Sequence, residues 1–231
     1  MLTRAPKLPM TGIAHPLWTK PLCFFDTETT GLYPGRHEVI EACFLVTSSV
    51  YEVVRNGWSY DLKRELHTLI RPTWKLEPLE HCTDALSHRV NGFCDRLDEL
   101  EQAPTIADVA DDIRSILRMG VPVGQNPRFD IHMLDGTMRM NGLKGLHARC
   151  VDTASLAFLL LPGINSISLS GFYPAIFGEA VPNHHGAKPD AQGTLDAFFG
   201  MLERYLVMTG QIDTIMEHFG ELPKDNDGDE A

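Results

Sequence analysis

No apolar run in the 231 residues approaches the roughly 18–20 that a membrane-crossing helix needs. The longest, around residues 156–161, is far too short, so no membrane association is expected. The first twenty residues have no apolar segment of the kind a secretory leader carries. Pro6, Lys7, Pro9 and His15 break it, and no leader is expected. Cysteine is scarce: Cys23, Cys43, Cys82, Cys94 and Cys150 are odd in number and scattered, with no CxxC. That argues against a disulfide framework or a zinc ribbon. Cys23, Cys43 and Cys150 fall in strand-like apolar runs and read as small buried hydrophobes in a reducing, cytoplasmic setting. Basic residues are also few, 20 Lys and Arg against 31 Asp and Glu, for a net charge of −11. This excludes a protein that coats nucleic acid with a basic surface. The deficit is uneven, however. The last eleven residues hold five acids and one lysine, and four further acids are singled out below. The remainder is nearly balanced, so an enzyme acting on nucleic acid stays open. Repeats and low-complexity tracts are absent.

What is present is an ordinary globular composition, 43% hydrophobic and 22% charged, of a length suited to one domain. Residues 1–20 read as an irregular arm, 21–220 as the domain and 221–231 as a disordered acidic tail. Strands are expected at 22–25, 39–47 and 66–71, with a hairpin excursion over 48–65 around Asn56-Gly57. The period then becomes helical. Val109, Ile113, Ile116 and Leu117 share a face within 107–117, and a second helix is expected over 129–140. Short strands at 121–124 and 149–151 alternate with these. Asp152 is placed to cap a helix running to Leu161. A long helix is expected over 190–206, with Leu195, Phe198, Met201, Leu202, Tyr205 and Leu206 apolar. This alternation implies an α/β fold, a mixed central sheet flanked by helices. Trp18, Trp58 and Trp74 read as packing residues.

Four acids and one histidine stand at element ends. Asp26 and Glu28 are two apart on a strand and so point to the same side. Two carboxylates there repel unless cations neutralise them, and oxygen ligands select Mg²⁺ or Mn²⁺ over zinc. A lone DxE can equally be a solvated strand end. Asp130 opens a helix after a short strand, at the sheet edge where α/β folds bind ligands, a place that also suits a helix-dipole acid. Asp190 follows Pro189 near a helix start, with His185 in the loop ahead.

Taken in order, these segments resemble the DnaQ-like 3′–5′ exonucleases, in the histidine-bearing DEDD branch. Residues 24–32, FFDTETTGL, look like the first motif. Asn126, Phe129 and Asp130 match the NxxFD core of the second, and His185, Ala187 and Asp190 the HxAxxD core of the third. Residues 151–157 resemble the DT-x-x-LA segment between them. The matches cover residues 22–206. Gln125 stands where many relatives have histidine, and Pro127 follows Asn126. His184 is one residue off register, and Gly186 stands where the tyrosine branch would need Tyr. Asp152 is the decoy carboxylate, placed to cap.

The resemblance implies a ribonuclease H-like fold and hydrolysis of a terminal phosphodiester at a 3′ end, releasing a nucleoside 5′-monophosphate. It implies two divalent ions, Mg²⁺ or Mn²⁺. Asp26 would bridge them, Glu28 and Asp190 would bind the one that activates water, and Asp130 would act on the other through water. Neutral His185 would take the water's proton. Thr29, Thr30 and Gly31 would offer backbone N–H groups to the terminal nucleotide, Leu32 would wedge against its base, and Asn126 and Phe129 would complete the substrate site. Arg36, Arg128 and Lys188 lie nearest as phosphate contacts. Single-stranded DNA 3′ ends are the expected substrate. An RNA-directed relative is the alternative, and a catalytically silent binding or proofreading-associated module a more distant one. Several stand-alone relatives are dimers, so a homodimer is allowed.

Overall fold

β1 (Leu22–Thr29) is the axis on which the molecule is organised. It pairs antiparallel with β2 (Val39–Thr47), which pairs antiparallel with β3 (Leu62–Leu69). On its other side β1 runs parallel to β4 (Val121–Gly124), and β4 runs parallel to β5 (Val151–Asp152). The five-stranded mixed sheet therefore has the order β3-β2-β1-β4-β5. The computed structural model describes residues 16–73, 92–183, 185–213 and 215–216. In chain order its helices are α1 (Pro16–Thr19), α2 (Val50–Arg55), α3 (Leu97–Gln102), α4 (Ile106–Arg118), α5 (Pro127–Met140), α6 (Thr153–Leu160), α7 (Leu169–Phe177) and α8 (Ala187–Thr209). A 3₁₀ turn, Phe93–Arg96, leads into α3.

Strand alternation divides β1 between two cores. Cys23 and Phe25 join Ala42, Phe44 and Val46 of β2 in a core closed by α4 and α5. Leu22 and Phe24 join Cys43 and Leu45 in a core closed by α2 and α8. All nine residues of β2 are buried, as a strand covered on both faces requires. Phe24 packs edge-on against Phe198 of α8 at 5.5 Å, while Phe25 stacks on Phe44 at 5.9 Å. Each such buried ring contributes roughly 1.5–3 kcal/mol. The long helix α8 is covered twice, because Ala197 and Met201 face a third cluster with α6 and α7.

Element types follow the sequence pattern closely, with instructive departures. β1 runs four residues beyond the apolar stretch, because β2 pairs with it through Thr29. The expected hairpin over 48–65 is a helix, α2, followed by β3. Ser49 and Glu52 form a reciprocal capping box, with Ser49 N–H donating to Glu52 Oε2 at 2.7 Å, and Asn56 caps the other end. α7 was not expected; it carries Pro174 within it and stops at Gly178 with φ 76°. α3 was not expected either. Tyr205 is exposed rather than apolar-facing. Of the expected N-terminal arm, residues 16–19 are one turn of helix, not irregular chain, and residues 1–15 lie outside the described residues. So do the 221–231 tail, Trp74, Cys82, His184 and the Cys94 side chain. Trp18 and Trp58 pack against the α8 core. Cys23 and Cys43 are buried and Cys150 half-buried; all three are free thiols. No helix among the described residues is long and apolar enough to cross a membrane.

Candidate active site

Beyond Phe24 the same face of β1 turns from apolar to acidic. Asp26 and Glu28 continue the side that lies under α8, and α8 brings Asp190 in its first turn to meet them. One carboxylate oxygen from each lies within 4.8 Å of the others. Oxygens on opposite sides of a hard divalent ion are about 4–5 Å apart, so three half-buried carboxylates at this spacing fit Mg²⁺ or Mn²⁺. The donor set contains only oxygen, which disfavours zinc. Asp190 sits in the first turn of α8.

Asp130 reaches the cluster from the opposite face. Between the two acids, Thr27 points to the other side of β1. Its N–H and its hydroxyl both donate to Asp130 Oδ1, at 3.0 and 2.7 Å. The second motif is thus clamped to the first across 103 residues of sequence. Burial pushes the Asp130 carboxyl up to about 7, although both Thr27 bonds oppose this. Asp26 is raised well above the carboxylate range, first by burial and then by Asp130, Asp190, Glu28 and Glu41 around it. A site that penalises its own negative charge this way is one a divalent cation stabilises.

The turn that presents Asp130 is dictated locally. β4 ends at Gly124, where a Cβ would lie 2.8 Å from Pro127 Cβ. Asn126 adopts the left-handed conformation, φ 53°, which asparagine tolerates, and Pro127 pre-sets the first helical φ of α5. Asn126 is exposed and Phe129 half-buried. Asp152 caps α6 through Ala154 N–H at 3.0 Å and also accepts Asn126 N–H at 3.0 Å and the Ser155 hydroxyl at 2.7 Å. Its oxygens are engaged in holding two turns together. Asp152→Ala is expected to cost about 1–2 kcal/mol of stability in a denaturant titration and to leave metal binding unaltered. Loss of metal binding in that variant would place Asp152 among the ligands instead.

His185 is exposed in the loop immediately before α8 and has φ 81°, a conformation that costs a non-glycine residue about 1–3 kcal/mol. Leu32 is 50% exposed, beside the site, while Thr29, Thr30 and Gly31 are buried. The N–H of Thr30 donates to Glu38 C=O at 2.9 Å, and its hydroxyl accepts Glu38 N–H at 3.0 Å. Thr30 therefore braces the loop through both groups. Gly31 lies so close to the His37 ring that a Cβ would stand 2.6 Å from it. Gly31→Ala is expected to lower stability by about 1–3 kcal/mol, read as a shifted urea midpoint; an unshifted midpoint would mean the ring yields freely. Arg36 and Arg128 are exposed, whereas Lys188 pairs with Glu65 of β3 at 2.5 Å.

Three neighbours were not singled out from the sequence. Thr27 is one. Glu41 is another: it stands opposite Glu28 in the β1–β2 register, is buried, and accepts from Arg96 Nη1 at 3.0 Å, with His67 Nε2 at 2.7 Å. A charged residue inside the otherwise apolar run VIEACFLV was the available signal. Arg96 offered none, because only the tertiary fold brings it to β2.

The family model RNase T, described as exonuclease, matches residues 23–198. No curated protein sequence matches the chain. Among solved structures, a zinc-bound complex of Escherichia coli exonuclease I with single-stranded DNA is similar with a TM-score of 0.61 and 16% identity, over 86% of this chain and 43% of that one. A second exonuclease I structure, described as suggesting how processivity is achieved, gives 0.60 and 17%, over 86% and 44%. At these identities the likeness is one of fold, and the chain spans less than half the length of either.

Proposed function

The chain belongs to the RNase T-type, DnaQ-like exonuclease family, and on that premise we propose that it removes nucleotides one at a time from 3′ ends, preferring single-stranded DNA. The observation that carries this reading is the meeting of Asp26, Glu28 and Asp190 oxygens within 4.8 Å, with Asp130 clamped beside them by Thr27. Residues 21–220 are proposed as the exonuclease domain. Asp26, Glu28 and Asp190 would hold the divalent ions, Mg²⁺ or Mn²⁺, and Asp130 would act from the second face. When bound, such ions supply an activated water and neutralise charge on the scissile phosphate.

The remaining steps belong to the protein's own groups. His185, on the exposed loop before α8, takes the proton of the attacking water. Its unusual backbone holds it where the third motif turns into the helix. Leu32, half exposed, wedges against the terminal base, while Gly31, Thr29, Asn126 and Phe129 shape the pocket for that nucleotide. Apolar wedging ignores base identity, so sequence preference is weak. The groups come from one chain, so the chemistry does not depend on the homodimer that the family allows. Free thiols at Cys23, Cys43 and Cys150 suit a cytoplasmic setting.

The test is a time course on 3′-accessible single-stranded DNA and matched RNA, with Mg²⁺, Mn²⁺ or EDTA. Metal-dependent release of nucleoside 5′-monophosphates from the 3′ end is expected, faster on DNA. An RNA rate above the DNA rate overturns the substrate preference. No release from either polymer by folded, metal-bound protein overturns the enzymatic reading.

A further inference from the structure

A cleft of about 950 Å³ includes Asp26 and Asp190 of the acidic cluster in its lining. One wall is α6. Its buried Ala157 packs with α7 and α8, while Ala154 and the trio Ser155, Phe158 and Leu159, spaced three and four apart, line the cleft. Phe158 and Leu159 are each 72% exposed, an apolar pair that the fold does not use for its core. Ile167, 49% exposed, faces the same space from the loop before α7, flanked by Ser166 and Ser168, and Gln125 Nε2 anchors that loop through Ile167 C=O at 2.6 Å.

We propose that Phe158 and Leu159 are the stacking platform for the nucleotides that precede the 3′-terminal one, and so set the preference for unpaired strands. This rests on the exonuclease reading above. The occupant is fixed by continuity. The cleft is continuous with the carboxylates that would act on the terminal phosphodiester, which makes it a path for the chain leading to that bond. Among the described residues, its one carboxylate outside the acidic cluster is Asp152, whose oxygens are engaged by Asn126, Ala154 and Ser155, and its other polar groups are hydroxyls and amides. An aromatic face beside an aliphatic one accepts any base by stacking, whereas a base already paired cannot splay onto it.

The experiment compares Phe158→Ala, Phe158→Leu and Phe158→Tyr with the wild type. Binding is read as fluorescence anisotropy of a labelled single-stranded oligonucleotide in EDTA. Turnover is read on two substrates: the same oligonucleotide and the p-nitrophenyl ester of thymidine 5′-monophosphate, which has no upstream nucleotide. Phe158→Ala and Phe158→Leu are expected to weaken oligonucleotide binding about 5- to 100-fold and to raise KM on it, with ester hydrolysis within about twofold of wild type. Phe158→Tyr, which keeps the ring, is expected to restore binding. Because the side chain is exposed, melting temperatures should stay within a few degrees. Equal binding by all four proteins overturns the platform, as does a parallel loss on the ester. A wild type that turns over neither substrate overturns the exonuclease reading itself, a result distinguishable from the first two.

Discussion

Asp26→Asn removes nuclease activity, by about 10³-fold or more, and at the same time makes the metal-free protein more stable. The first effect follows from position. Asp26 is the carboxylate that both other members of the cluster and Asp130 surround, and an amide there withdraws the charge that would hold the ions and the scissile phosphate in place. Losses of 10²–10³-fold accompany removal of single electrostatic groups elsewhere, and a group shared by the whole cluster should exceed them. The second effect follows from the direction of its titration. Burial and four neighbouring carboxylates disfavour the Asp26 anion in the folded state. The unfolded chain carries no such penalty. At pH 8 the neutral amide removes that cost, so the metal-free variant is expected to melt at a higher temperature than the wild type. Adding Mn²⁺ should then raise the melting temperature of the wild type by mass action and leave the variant nearly unmoved. A variant that is inactive but less stable in EDTA would refute the electrostatic account of the site, even though it would leave Asp26 essential.

Asp130 gives the second large effect, a stability that depends on pH in an unusual direction. Its folded-state value is pushed up to about 7 by burial, against an ordinary value of 3.8. Below about pH 4 the group is protonated in both states, and its contribution is fully present. As pH rises from about 4 to about 7, the unfolded state releases its proton while the folded state keeps it. Stability is therefore lost across that window, by a few kcal/mol in total. Asp26, raised in the same direction, adds to the loss. Groups such as Asp108, held below the ordinary range by the Thr105 hydroxyl and N–H, act with the opposite sign and only at lower pH. The melting temperature of the metal-free protein is expected to be higher at pH 5 than at pH 8. Asp130→Asn should flatten the slope between them. Saturating Mg²⁺ should flatten it as well, since bound cations favour the ionised carboxylates. A metal-free profile that climbs from pH 5 to pH 8 would contradict both shifts.

The two effects rest on parts of the protein that were legible to different degrees. That Asp26 and Glu28 share a side follows from strand alternation over three adjacent residues. The helix that carries Asp190 announces itself through Pro189 and a long apolar period, and the DT segment places Asp152 at a helix start, where it caps α6. The misreading of residues 48–65 was local too, since the Ser49–Glu52 capping box is written in the sequence and was outweighed by Asn56-Gly57. Thr30 is a different case. Its N–H goes to Glu38, eight residues away across a loop whose closure the motif does not reveal.

The sequence by itself determined which side chains could carry the chemistry and in what order they occur: the acids at element ends, the histidine ahead of the last helix, and the mixed alternation that makes an α/β sheet. These are properties of neighbouring residues, set by periodicities of two and 3.6 and by capping. Only the tertiary structure decided how the groups meet. It placed Asp130 on the opposite face of β1 from Asp26 and Glu28 and tied it to Thr27. It buried Glu41 opposite Glu28 with Arg96 as its partner, and left Phe158 and Leu159 facing the cleft rather than the core. Those outcomes depend on which helix covers which face of the sheet. That choice is made by the joint packing of Phe24, Phe25 and their distant partners, and no local pattern encodes it.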